Sequence, residues 1–365
     1  MLQTIGTTQE GEDPRGTPPP PRPHLARIPV PPPPRAGREA YLRLDLNEDL
    51  SGPLARMREL PPSSLAAYHT PDMLAAALGA HLRVPSNHIR VTAGADEAIY
   101  GLLRAYLDPG DGILLPWPTF GEFAVVAAGL AAEVVRAPYG PDLAFPLAAY
   151  RALLTEGPRV AVLVTPANPT GESLDPQTVL ALAAQAPRTL LVVDEAYSGY
   201  GGRSILASGP PPPNVAVIRT FSKAYGLASA RVGYVVAHTH VLDAMRQVLP
   251  TYSLAGHSLA LAHAALARSD RLAARVAAVR RGQRRIVAWG RAHGMDVHPT
   301  DANFVLLRLP QSATATALAA ALEAEGVLVS DRTAVLPGTL RVAVGAPRHV
   351  SALLQALERT WDALR

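Results

Sequence analysis

Short, nearly unbroken apolar runs alternate with longer stretches of helical periodicity from about Tyr41 onward, and this alternation limits the fold more than any other feature of the 365-residue chain. The runs fall at Gly112–Pro116, Ala132–Ala137, Val160–Thr165, Leu190–Asp194, Ala216–Thr220 and Arg231–Ala237. They show no polar alternation, so they fit strands covered on both faces. Between them, Asp96–Leu107 places Ile99, Leu102, Leu103 and Tyr106 on one helical face, and Thr178–Gln185 is a second helical stretch. An α/β architecture follows, with a mostly parallel sheet sandwiched by helices and its chemistry at strand ends. Beyond Thr251, alanine-rich helices through Leu261, Leu272 and Val287 lead to three later strands at Asn303–Leu309, Val327–Ser330 and Thr339–Val344. These come too late to repeat the first pattern. The expected organisation is a large domain over 67–254, a smaller α+β domain over 255–365, and a segment over 41–66 whose Leu42–Leu46 run folds back onto the smaller domain. Residues 1–40 hold eleven prolines and little to bury, the texture of a disordered or polyproline-like arm.

Charge and cysteine narrow the function classes. The formal charge is +4, and the one dense basic patch (Arg275, Arg280, Arg281, Arg284, Arg285) has helical spacing with no interleaved aromatics, so it reads as a solvated helix face rather than a nucleic-acid groove. No apolar run reaches the roughly 18 residues of a membrane span. The acidic start does not look like a signal peptide, and cysteine is absent, so a cytoplasmic, reducing location is expected. His238 and His240 have no evident third ligand, and no metal site is expected. Of 34 basic residues, all but Lys223 are arginine. Guanidinium cannot serve as an amine nucleophile and an ammonium can, although chance survival under a biased composition explains a single lysine equally well.

Lys223 follows the apolar run Val215-Ala-Val-Ile, so its amine emerges at a strand end. Asp194 ends Leu190-Leu-Val-Val and looks buried, which requires a facing cation; Arg231 or a ligand's pyridinium nitrogen would serve. Asn168 sits in the tight turn Thr165-Pro-Ala-Asn-Pro-Thr-Gly171, and Arg231 begins Arg-Val-Gly-Tyr234. Gly94-Ala-Asp-Glu97 opens a helix whose free N–H groups suit an anion, with Asp96 as a plain N-cap on the simpler view.

In order, Gly94-Ala-Asp-Glu, Pro118-Thr-Phe120, Asn168-Pro-Thr-Gly, Asp194-Glu-Ala-Tyr197, Ser222-Lys223 and Arg231 resemble the fold-type I aminotransferases that depend on pyridoxal 5'-phosphate (PLP), and among them the histidinol-phosphate aminotransferase family. The resemblance runs from about Leu44 to Leu357. It implies that Lys223 carries PLP covalently and then acts as acid and base. It also implies that Asp194 pairs with the pyridine nitrogen, that Asn168 and Tyr197 bind the ring oxygen, and that Phe120 stacks on the ring. Ser222, Arg231 and the backbone N–H groups of Ala95 and Asp96 would hold the phosphate, with Tyr68 reaching across a homodimer interface to the neighbour's phosphate. Arg341 would clamp the substrate α-carboxylate, an ion pair to Asp331 being the structural alternative, and Asn47 would line the substrate mouth.

The implied reaction moves an amino group between an amino acid and a 2-oxo acid. A PLP-dependent decarboxylase or lyase shares the same residues, and a non-catalytic PLP-binding sensor is a more distant alternative. Two departures bear on the substrate. Ser330 stands where the family places a phosphate-binding arginine, with Arg332 two positions on, and Asp49 replaces an asparagine at the mouth. Both argue against histidinol phosphate and toward a non-phosphorylated substrate.

Overall fold

The computed structural model describes residues 22–28, 36–56, 63–66, 68–201, 203–309 and 312–364. Seven strands form the larger sheet: β2 (Ile89–Thr92), β3 (Gly112–Trp117), β4 (Glu133–Pro138), β5 (Val160–Val164), β6 (Leu190–Asp194), β7 (Val215–Thr220) and β8 (Gly233–Ala237), in the order β2-β8-β7-β6-β5-β3-β4. All neighbours pair in parallel except β8, which runs antiparallel to both β2 and β7. Every residue of β5, β6 and β8 is buried, which is why these strands read as continuous apolar runs. One face packs on Ile99, Leu102, Leu103, Phe123 and Met245; the other packs on Leu78, Tyr150, Leu182 and Leu266.

The smaller sheet combines β1 (Leu42–Leu44) with β9 (Asp296–Pro299), β10 (Phe304–Arg308), β11 (Val327–Asp331) and β12 (Thr339–Ala343), in the order β1-β11-β12-β10-β9. Leu42 pairs with Val327 and Leu44 with Val329 in parallel, and the remaining ladders are antiparallel. The helices Asp270–Ala292, Ser312–Ala324 and Pro347–Trp361 pack on it through Ile286, Leu318, Leu322, Leu353 and Leu357 around Phe304, Leu306 and Val342.

Sequence patterning misses two strands. β2 carries Arg90 in its middle, and β9 is four residues with an aspartate and a proline at its ends, so neither makes an apolar run. The expected strand onset at Arg231 is also two residues early, because Arg231 holds a left-handed backbone (φ 50°) and pairing begins at Gly233. Most of the proline-rich arm lies outside the described residues, but it is not wholly unstructured: Pro23–Arg27 forms a 3-10 turn, and His24 Nε2 lies 3.1 Å from Gly129 O.

The basic patch is also not simply a solvated face. Within the helix Asp270–Ala292, Arg275 and Arg280 turn inward. Arg275 donates to Ala224 O and Gly52 O, and Arg280 donates to Thr300 O and Asp301, whereas Arg281, Arg284 and Arg285 remain exposed.

Candidate active site

The register of the larger sheet gathers the chemistry at one edge. Val164 pairs with Asp194 and Asp194 with Ile218, so the turn carrying Asn168, the carboxylate of Asp194 and the loop carrying Ser222 and Lys223 leave neighbouring parallel strands at the same level. Because β8 is antiparallel, its first residue lies at that edge, with Gly233 opposite Thr220 on one side and Thr92 on the other. Arg231 therefore arrives next to the helix Gly94–Tyr106, which follows β2. Phe120 follows β3 at the same end and lies half-buried against the core.

The helix starts two residues earlier than its sequence suggests, and Asp96 is not its cap. No side chain caps the N-terminus at Ala93, while Glu97 accepts the Ala93 N–H and Asp96 Oδ2 accepts from Arg231 Nη2 at 2.8 Å. Arg231 Nη1 donates to Ser222 Oγ at 3.2 Å. The first N–H groups of the helix, the Ser222 hydroxyl and the Arg231 guanidinium thus surround one small space. Two glycines allow its walls to approach this closely. Gly94 has φ +82°, and a Cβ there would lie 2.4 Å from Arg231 Nη2; a Cβ on Gly233 would lie 2.6 Å from the Gly94 carbonyl carbon.

Asp194 is buried, and its Oδ1 accepts the Ala196 N–H at 2.9 Å. It does not pair with Arg231, whose carboxylate partner is Asp96. Burial pushes the Asp194 carboxyl up to about 6, and the Ala196 N–H and the Lys223 ammonium only partly oppose that. A carboxylate left this short of compensation suits a ligand cation. Glu195 turns to the other side of the strand, where Arg219, Ser204 and the Ile205 N–H satisfy it.

Lys223 Nζ donates to Leu46 O at 3.1 Å and lies 5.7 Å from the centre of the Tyr197 ring. The segment 45–49 closes over this point. Asp45 O accepts from Arg341 Nη2 at 2.6 Å, and Asn47 Nδ2 donates to the Tyr197 hydroxyl at 2.9 Å. Asn47 is itself buried, in a left-handed conformation (φ 54°), and its carbonyl accepts from Asn303 Nδ2. Arg341 Nη1 donates to Asn168 Oδ1 at 2.6 Å, and the guanidinium sits 5.7 Å from the Phe304 ring. Its Nε is buried with no partner. Asp331 is not its counter-ion, because that carboxylate accepts from Thr316 and from the Thr333 N–H instead.

One residue departs from expectation, and another stands apart from its own chain's cluster. Asp49 does not present free charge at a mouth: it is buried, accepts from the Tyr200 hydroxyl at 3.0 Å and pairs with Arg275 at 3.4 Å. Tyr68 is not brought to the cluster within its own chain; it is 86 % exposed and packs on Tyr252 with ring centres 4.7 Å apart. Sequence reasoning overlooked Asn303, Phe304 and Arg275. Phe304 was visible only as one more apolar strand residue, and nothing in sequence spacing ties Asn303 to Asn47 or Arg275 to Asp49.

The aminotransferase class I and II family pattern matches residues 63–359. The chain is 39% identical over 269 residues to a histidinol-phosphate aminotransferase from Streptomyces avermitilis, covering 72% of each. It is 34% identical to an aromatic amino acid aminotransferase from Thermobifida fusca, covering 90% of this chain and 94% of that one. The crystal structure of histidinol-phosphate aminotransferase from Sinorhizobium meliloti in complex with PLP superposes with a TM-score of 0.82 at 28% identity, covering 88% of this chain and 91% of the other. The chain therefore belongs to the class I and II aminotransferases. It is a PLP-dependent transaminase with the fold-type I architecture. The under-compensated Asp194 and the glycine-walled space between Ser222, Arg231 and the uncapped helix fit the cofactor's ring nitrogen and phosphate. No described helix is long and apolar enough to cross a membrane.

Proposed function

We propose that Lys223 is the catalytic amine, Asp194 the partner of the pyridine nitrogen, and Ser222, Arg231 and the N–H groups of Ala95 and Asp96 the phosphate cradle. The observation that carries this reading is the sheet register, which delivers the only lysine and a buried carboxylate lacking a full counter-charge to one edge. Bound PLP supplies an electron sink for the pair left on the substrate carbon. Asp194 would keep the ring nitrogen protonated, because burial disfavours an isolated carboxylate there. Asn168 and Tyr197 would hold the ring oxygen, and Phe120 would cover the ring. Arg341 binds the α-carboxylate through Nε and by exchanging its contacts with Asn168 and Asp45. Asn47 closes the substrate side by holding the Tyr197 hydroxyl. Lys223 Nζ, released from Leu46 O, would take the proton from the substrate Cα and give it back within the site, so that with water a 2-oxo acid leaves in one half-reaction and a second 2-oxo acid receives the retained amino group in the other.

The working unit in this reading is a homodimer in the cytoplasm. Leu65, Tyr68 and Met73 are exposed within nine positions of one another, and Tyr68 packs on the exposed Tyr252. The experiment is transfer of isotope from ¹⁵N-labelled amino acids to unlabelled 2-oxo acids by the holoenzyme. Label in the new amino acid is the expected result; carbon dioxide release without label transfer would overturn the reading.

A further inference from the structure

Arg332 and Arg341 lie on one face of the smaller sheet and act on each other electrostatically. Ser330 leaves the β11 position opposite Arg341 uncharged, and Arg332 is the next residue on that face. Ser330 stands directly opposite Arg341 in the β11–β12 ladder, and the pairing continues beyond Asp331 because Arg332 N donates to Thr339 O at 2.9 Å. Residues two apart on a strand share a face, so Arg332 lies on the face of Ser330 and Arg341, while Asp331 points away to Thr316 on the helix Ser312–Ala324. The two-residue offset is about 7 Å of strand, a length that an arginine stem can span in reverse.

The surroundings of Arg332 define what is missing there. The side chain is half-buried, its Nε is buried without a hydrogen-bond partner, and no carboxylate pairs with it among the described residues. Burial lowers its pKa from the ordinary arginine value, and the neighbouring Tyr197 hydroxyl opposes that. Burial, and after it Arg332, push Arg341 down to about 10, with Tyr197 and Asp45 only partly opposing, and Asp45 itself is paired with Arg38. A buried arginine is normally paired, and two neighbouring arginines with unsatisfied Nε groups lack two anionic partners. The α-carboxylate supplies one. The acidic groups of the segment 45–49 are already held elsewhere: Asp49 by Arg275 and Tyr200, and Asp45 and Glu48 by Arg38.

We propose that Arg332 is a specificity-determining residue that binds a second anionic group, a carboxylate or a phosphate, on the side chain of the amino acid or 2-oxo acid. This rests on Arg341 taking the α-carboxylate. Position 332 then supplies the positive charge that Ser330 does not carry.

The test compares kcat/KM for matched donors in the holoenzyme: glutamate against glutamine for a carboxylate, and O-phosphoserine against serine for a phosphate. The wild type prefers the anionic member of at least one pair, which identifies the anion. Arg332→Gln lowers that preference about 10- to 100-fold, the strength of a hydrogen bond to a charged group, mainly through KM. Arg332→Lys retains part of it, which also separates lost charge from lost folding. Binding of succinate against propionate, by calorimetry on the same holoenzymes, needs no turnover. Tighter succinate binding that Arg332→Gln abolishes supports a carboxylate site. If neither anionic donor nor succinate is preferred, or Arg332→Gln leaves the preferences intact, the proposal fails. Absence of amino transfer alongside intact, Arg332-dependent succinate binding would instead overturn the aminotransferase reading and spare the anion site.

Discussion

The two walls of the proposed active site are built differently. The cofactor wall comes from loops after successive strands of one sheet, so Asn168, Asp194, Ser222, Lys223 and Arg231 are placed by backbone register before any side chain makes a contact. The substrate wall is assembled from the segment 45–49, the β11–β12 hairpin and the helix Asp270–Ala292, and side-chain pairing fixes it: Arg341 to Asp45 O, Asn47 to Tyr197, and Asp49 to Arg275 and Tyr200. The first wall tolerates loss of one side chain as a local defect. The second should come apart, because each buried charge depends on a partner from a distant part of the chain.

The largest expected effect breaks the substrate wall. Arg275→Met leaves the Asp49 carboxylate buried with only the Tyr200 hydroxyl and the Ser51 N–H, and should destabilise the protein by about 3 to 5 kcal/mol in urea unfolding. Adding Asp49→Asn should recover much of that loss, since no charge then remains to be compensated. Equal stability of the single variant and the wild type would mean that the segment 45–49 is not held through this pair.

A smaller effect probes the cofactor wall. Asp194→Asn removes the charge facing the ring nitrogen and should weaken PLP binding about 10- to 100-fold in equilibrium titration, while the fold is retained. The same variant has a signature without cofactor. The folded Asp194 pKa, about 6, lies above the ordinary carboxylate value, so between those two pH values the native protein holds a proton that the unfolded chain releases. The resulting stability is fully present below the ordinary value and is lost as pH rises through about 6. The cofactor-free wild type should therefore lose stability relative to cofactor-free Asp194→Asn as pH rises through that range. Parallel curves would show that Asp194 is compensated within the protein itself.

The contrast between the walls also explains what could be read from sequence. Asp194 and Lys223 are legible because each ends or follows an apolar strand, and strand ends are where a parallel sheet presents chemistry. The direction of β8 is not legible, although it is what brings Arg231 to the Gly94 helix, because a two-faced buried strand looks the same in either direction. Asp49 and Arg332 are visible as residues but not as charges with or without partners. One is silenced by Arg275, more than 200 positions away, and the other is exposed to the site by strand parity. The helix bearing Arg275 has the spacing of a solvated face, and only packing decides that two of its arginines turn inward.

The single lysine allows a direct test of the central assignment. Holoenzyme reduced with borohydride and analysed by intact-mass spectrometry and peptide mapping should carry one cofactor per chain on the peptide containing Lys223. Lys223→Ala should carry none and lose amino transfer by at least about 10²- to 10⁴-fold. Full amino transfer by Lys223→Ala, or a reduced wild type without cofactor on that peptide, would contradict the account.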